Sequence, residues 1–266
     1  MLKSKILRSF TVCYAVAIAT FKEWSVYRTH TLVSVFVGPV YFAVQYFIWT
    51  AVYSTHYELA GMELESIIRY FGAVTLIGYV TMDFADWNLS MLIRTGKFLT
   101  FSLRPIHHRF FAFSQKIGHR ILGLTLEFIP CILIFNFIFG INMIPENIFW
   151  TVLSVALAFM VSFNFNYILG MVSFWFVEAG SVRYVVYILS GVFSGALIPL
   201  AFFPDWLRQI QFFLPFQYTI YVPAMVFTGN FTPSLVGFQA VAVIITYIVS
   251  EIVYRRAMKR FNDVGA

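Results

Sequence analysis

Apolar residues run along this chain in long continuous stretches. They do not alternate one-in-two as in a half-buried strand, nor form the narrow stripe of a surface helix. A helix crossing a hydrocarbon core of about 30 Å needs roughly 20 mostly apolar residues. Six stretches meet that need, at 33–53, 67–87, 117–140, 148–177, 182–200 and 235–254. The pattern therefore predicts an all-α polytopic membrane protein with six transmembrane helices. Asp83 and Asp86 cut the second stretch short, and the fourth is long enough to tilt or project from the bilayer.

Composition narrows the class further. Of 266 residues, 60% are hydrophobic and 11% charged, with a mean hydropathy of +0.80. Soluble domains run about 45–50% apolar and about 25% charged, so a water-soluble globule is excluded. With 15 Gly, 2 Cys and 32 Phe, collagen-like, disulfide-rich and disordered chains are excluded as well. Cys13 and Cys131 both lie in apolar stretches and read as small hydrophobes.

A net charge of +6 would suggest nucleic acid in a soluble chain. Here the positions of the charges carry the information, and no nucleic-acid partner is expected. With both termini cytoplasmic, the inner segments hold Lys3, Lys5, Arg8, Lys22, Arg28, Arg94, Lys97, Arg104, Arg109, Lys116, Arg120, Arg183, Arg255, Arg256, Lys259 and Arg260. Only Arg69 and Arg208 of the 18 basic residues fall outside. Phe10, Tyr14, Ala17, Phe21 and Trp24 recur at helical spacing, which favours an interfacial helix over residues 1–30 rather than a cleaved signal.

Reactive constellations are missing. Gly96-Lys97 is followed by Phe98 and lacks the upstream glycine of a P-loop, so the chain has no ATP site of that kind. No HExxH, GxSxG or Cys/His metal spacing occurs, and no cofactor is expected. His107, His108 and His119 lie in or beside a basic segment and read as solvated or phosphate-facing. Glu127, deep in the third stretch, and Asn164 in the fourth are candidates for a translocation route, with interhelical hydrogen bonding as the alternative reading. Asp83 and Asp86, read as sharing a helical face near the inner boundary, are expected to pair with Arg or Lys.

Two loops carry the remaining information. Residues 94–116 begin as a basic cytoplasmic segment interrupted by Gly96 and Pro105, in which Phe98 and Phe101 give a short helix its apolar side. It suits either the inner leaflet or a cytoplasmic partner. Residues 199–228 are too apolar for a solvated loop and too rich in proline for one span. Pro204 suits a helix start and Pro215 a helix end, which predicts short helices re-entering the outer leaflet.

These loops, in this order on six spans, resemble the permease subunits of ABC-2-type transporters that carry no ATPase domain. The likeness rests on Ile93-Arg94-x-Gly96-Lys97-Phe98 with Leu103-Arg104-Pro105. It rests equally on the run Ser194 to Leu207, on Leu214-Pro215-Phe216, Tyr221-x-Pro223 and Gly229, and on the tail 256–265. The resemblance implies a single transmembrane permease domain over residues 1–266, two copies or two related chains forming the route, and separate P-loop ATP-binding subunits that hold ATP and magnesium. It implies an ATPase-coupling role for Arg94, Gly96, Lys97, Phe98, Leu103, Arg104 and Pro105. It further implies an outer gate built on Pro199, Phe202, Phe203, Pro204, Trp206, Pro215 and Phe216. The expected activity is ATP-driven export across a bacterial plasma membrane. An ion-coupled secondary transporter is the alternative, opposed by the lack of a chain of midplane carboxylates and of an internal repeat. A membrane-embedded enzyme ranks third.

Overall fold

A computed structural model describes residues 2–26, 28–55, 57–104, 106–176 and 179–264, with the backbone alone at 2–10, 28–32, 102, 179 and 262–264. Pro105, Val177 and the side chains of Lys3, Lys5, Arg8, Phe10 and Arg28 lie outside the described residues. The chain is mainly helical: α1 (Leu2–Ser25), α2 (Arg28–Tyr53), α3 (Leu64–Thr81), α4 (Ala85–Arg94), α5 (Phe98–Ser102), α6 (His108–Gly123), α7 (Ile129–Phe137), α8 (Ile148–Met171), α9 (Ala179–Phe193), α10 (Asp205–Phe212), α11 (Tyr221–Phe227) and α12 (Pro233–Val264). One two-stranded hairpin pairs Leu59 with Met62 across a tight turn in which Ala60 and Gly61 take positive φ, the conformation such a turn demands.

Among the described residues, five helical stretches are long and apolar enough to cross a bilayer: Val33–Tyr53, Leu64–Arg94, His108–Phe137, Ile148–Phe174 and Pro233–Phe261. The fifth expected span, 182–200, is shorter than the sequence pattern suggests. Its helix α9 has 15 residues and ends at Phe193, and Gly195 then turns the chain at φ +82°. Beyond it, Asp205–Phe212 and Phe216–Phe227 form a pair bent by 76°. Pro204 stands immediately before α10, and the helix ends before Pro215.

Other boundaries also differ from the pattern, and two of them have a local reason. The second span breaks at Met82–Phe84, where the Asp83 carboxylate accepts a bond from the Ala85 N–H at 2.8 Å and so replaces the helical partner. Asp83 therefore sits in the break, and Asp83 and Asp86 do not share a helical face. The third span starts at His108, nine residues before the apolar stretch does. It then widens into a π-turn at Leu124–Phe128, next to Pro130, which cannot donate to the ladder. The last helix runs through the basic tail to Val264.

Packing is tightest where side chains vanish. α1 lies along α6, and a Cβ on Gly118 would stand 2.2 Å from the Ala17 carbonyl oxygen, so only glycine permits this crossing. α2 contains Pro39. Tyr79 of α3 accepts the Gly38 N–H at 2.8 Å and donates to the Ser34 carbonyl at 2.9 Å, inserting its hydroxyl into the gap in the α2 ladder. The main core lies between α2, α3 and α7, around Phe42, Tyr70, Phe71, Leu76 and Phe135.

Candidate functional site

The basic loop closes one end of the bundle. Gly96 takes φ +68°, a left-handed turn that ends α4 and starts α5. Phe98 and Phe101 face inward: Phe98 meets Phe174 and Phe261 edge-on at 5.1 and 5.3 Å, and Phe101 meets His108 at 4.6 Å. Arg94, Gly96, Lys97, Leu103 and Arg104 stay exposed, with the Arg104 guanidinium laid over the Phe101 ring at 5.1 Å. Phe98 is therefore an anchor under the loop and offers no surface to a partner. Pro105, assigned with it from sequence, lies outside the described residues.

α6 rises directly from this loop and carries what sequence reading missed. His107 precedes it and accepts the Arg109 N–H at 3.2 Å. Burial holds this imidazole below its ordinary pKa, with Glu251 opposing and Arg109 assisting. Arg109, Lys116 and Arg120, counted from sequence as cytoplasmic charges, are 8%, 5% and 3% exposed. Their spacing of seven and four puts them on one face of α6, and Glu127 continues it seven residues further on. His108 is buried too, 3.2 Å from the Tyr167 hydroxyl, so the reading of these histidines as solvated fails at that position.

Buried charges survive only with partners, and each cation has its own set. Lys116 Nζ lies 3.1 Å from Asp83, donates to the Thr81 and Phe159 carbonyls at 3.3 and 3.0 Å, and stands 4.1 Å over the Phe159 ring. Arg120 donates to the Tyr79 carbonyl and lies 3.9 Å from Glu127. Arg109 donates to Ser250 and, at 2.5 Å, to Asn164, and lies 4.1 Å over the Tyr247 ring. Among the described residues no carboxylate pairs with Arg109. One helix is thus stapled to α3 through Lys116 and Arg120 and to α8 and α12 through Arg109. Asp86 meets Arg183 of α9 at 3.6 Å.

Glu127 and Asn164 occupy opposite ends of this ladder rather than one site. Asn164 also donates to Thr246 at 3.1 Å, and Ser154 of α8 meets Gln239 of α12 at 2.7 Å. Polar pairs thereby line the α8–α12 seam. The signal for the ladder was present in the i, i+7, i+11, i+18 spacing of 109, 116, 120 and 127. It was obscured because the first half of α6 is too polar to read as membrane-buried.

The proline-rich segment closes the other end. Pro199 is buried and the Leu200–Phe202 turn sets Phe202 against Trp49 at 5.1 Å. Phe203 is half-buried, Pro204 and Trp206 are exposed, and Pro215 leads into the Phe216–Tyr218 turn. Phe216 packs on Phe165 of α8 at 5.1 Å. The Tyr70 hydroxyl donates to the Gly195 carbonyl at 2.7 Å and the Tyr221 N–H to the Ser194 carbonyl at 2.9 Å, so the segment is tied to α3 and to the end of α9.

Apolar helices of spanning length and a charged network hidden between them define a multi-pass membrane protein. Its family follows from comparison: the sequence model of the ABC-2 family transporter protein matches residues 40–265. The chain belongs to the ABC-2 family of transporter membrane proteins. Comparison with curated proteins finds no match.

Proposed function

We infer that this chain is the membrane-spanning subunit of an ATP-driven exporter, acting with a second permease, identical or related, and with separate P-loop ATPases that hold ATP and magnesium. In this reading six spans cross a bacterial plasma membrane with both termini in the cytoplasm, and the proline-rich segment re-enters the outer leaflet as a gate. The N-terminal helix α1 lies along the inner surface, on α6.

One observation carries the reading: the basic loop is exposed at Arg94, Lys97 and Arg104 yet rooted by the buried Phe98 and Phe101 at the start of α6. Force applied to such a loop by an ATPase would reach α6 first. The Arg109 contacts would then pass it to α8 and α12, and the Lys116–Asp83 pair to the break between α3 and α4. The ion-coupled alternative loses support because Asp83 and Glu127 each face a buried cation. Co-purification with a P-loop ATPase and vanadate-sensitive ATP hydrolysis by the complex test the proposal. Transport by the purified chain on an ion gradient without ATP would overturn it.

A further inference from the structure

The first turn of a helix leaves backbone N–H groups unpaired, and a side chain just before the helix can accept one of them. α8 uses an amide for this: Asn147 accepts the Trp150 N–H at 3.1 Å. α6 uses an imidazole. His107 takes the extended backbone of a cap (φ −64°, ψ 129°), and its Nδ1 accepts the Arg109 N–H at 3.2 Å. A ring that accepts at Nδ1 is neutral and carries its proton on Nε2. The two caps differ in one respect. An amide keeps its acceptor oxygen across the physiological pH range, whereas a protonated imidazole has two donors and no acceptor.

The same ring joins the root of the basic loop to the last helix. It is half-buried and lies on Tyr254 of α12, with the ring centres 4.3 Å apart. Arg104, an exposed cation of the loop, precedes it by three residues. The charges around it divide by sign. Glu251, one turn before Tyr254 on α12, favours a charged ring, while Arg109 opposes it, as does the positive end of α6. Glu251 meanwhile holds Arg255 at 2.9 Å. His108 is turned toward the Tyr167 hydroxyl at 3.2 Å, and the Arg104 guanidinium lies over the Phe101 and Phe111 rings at 5.1 and 5.8 Å.

We propose that His107 is a proton-sensitive latch on the basic loop. Neutral, it caps α6 and holds the root of the loop on α12. Protonated at Nδ1 by water, it gives up the Arg109 N–H, turns to the Glu251 carboxylate and frees the first turn of α6. Burial, the largest influence on this ring, keeps its pKa below the ordinary value, with Glu251 raising it and Arg109 lowering it. The unfolded chain therefore takes the proton first. The cap contributes in full above about pH 6.5, and its contribution is lost as pH falls through the lower value of the folded ring.

One consequence rests on the exporter reading: where the loop meets an ATPase, acidification of the cytoplasm slackens the coupling. The latch itself needs no ATPase, so the exporter reading can fail without it. The full chain is placed alone in lipid nanodiscs, and hydrogen exchange of the first turn of α6 is followed at about pH 7.5 and about pH 5.5. Each rate is referred to that of an unstructured amide at the same pH. Protection of the Arg109 amide should fall about fivefold on acidification, the worth of one helix cap. His107→Asn supplies an acceptor that does not titrate and should stay protected at both values. His107→Leu should be weakly protected at both, and Glu251→Gln should move the transition to lower pH. Protection of the native chain that does not change with pH, or a His107→Asn chain that loses it as the native one does, would overturn the proposal.

Discussion

At the residue scale, the decisive fact is that Lys116 and Asp83 are hidden with side chains 1% and 2% exposed. Removing one partner of such a pair strands a charge, whereas removing both leaves an apolar contact. Asp83→Asn should therefore cost about 3–5 kcal/mol of stability by leaving the Lys116 ammonium uncompensated. The double variant Asp83→Asn, Lys116→Met should recover most of that loss. Thermal unfolding of the purified chain in detergent, run as a double-mutant cycle, measures both. Additive losses would show that the two side chains act independently. Sequence reading anticipated cationic partners for Asp83 and Asp86 but placed their helical face wrongly. The Asx turn at Asp83 depends on a hydrogen bond to Ala85 N–H, which hydropathy does not encode. The same blindness applies to Arg109. A cation held by Ser250, Asn164 and the Tyr247 face has no sequence-local partner, and charge counting assigned it only to a cytoplasmic segment.

At the scale of elements, the apolar stretches predicted where helices lie but not how they are interrupted. Span existence depends on summed hydrophobicity, which is a local property, and five helices of spanning length among the described residues follow it. Their breaks depend on repair from elsewhere. Pro39 removes a donor within α2, and the repair is the Tyr79 hydroxyl from a different helix, 40 positions away in sequence. Tyr79→Phe should leave the Gly38 N–H and the Ser34 carbonyl, together with the Val35 carbonyl that Pro39 orphans, without the hydroxyl and cost about 1–3 kcal/mol. In a Pro39→Ala background the restored ladder makes the hydroxyl redundant, and the cost of Tyr79→Phe should shrink. Thermal unfolding of the four variants reads this difference, and an unchanged cost in both backgrounds would place the hydroxyl's role elsewhere. Pro130 and its π-turn follow a similar logic, for a proline within an apolar stretch announces a distortion without saying which kind. The early end of α9 has a more legible cause, since Gly195 needs positive φ and a glycine there marks a stop.

At the scale of the whole molecule, the two ends of the bundle differ in chemistry, and the difference separates folding from partnership. The loop residues with sequence-assigned coupling roles divide into an anchor and a surface. Phe98 is 2% exposed within a cluster with Leu89, Ala112, Phe163 and Tyr167. Phe98→Ala should lower stability by about 3–5 kcal/mol, as for other buried aromatic truncations. Any loss of transport would then accompany loss of folded protein. Arg94, Lys97 and Arg104 are exposed and form no salt bridge among the described residues. Reversing them together to glutamate should leave the unfolding midpoint nearly unchanged, because isolated surface charges contribute little to stability. If the loop meets an ATPase, the same triple variant should fail to recruit it, and the association of the unaltered chain should weaken as salt screens the contact. Pull-down of the ATPase at low and high salt, beside the unfolding midpoint of each variant, separates the two roles. A triple variant that folds and still recruits the ATPase at full strength would remove the loop's charges from the coupling surface, leaving Leu99 and Leu103 as its exposed apolar contacts.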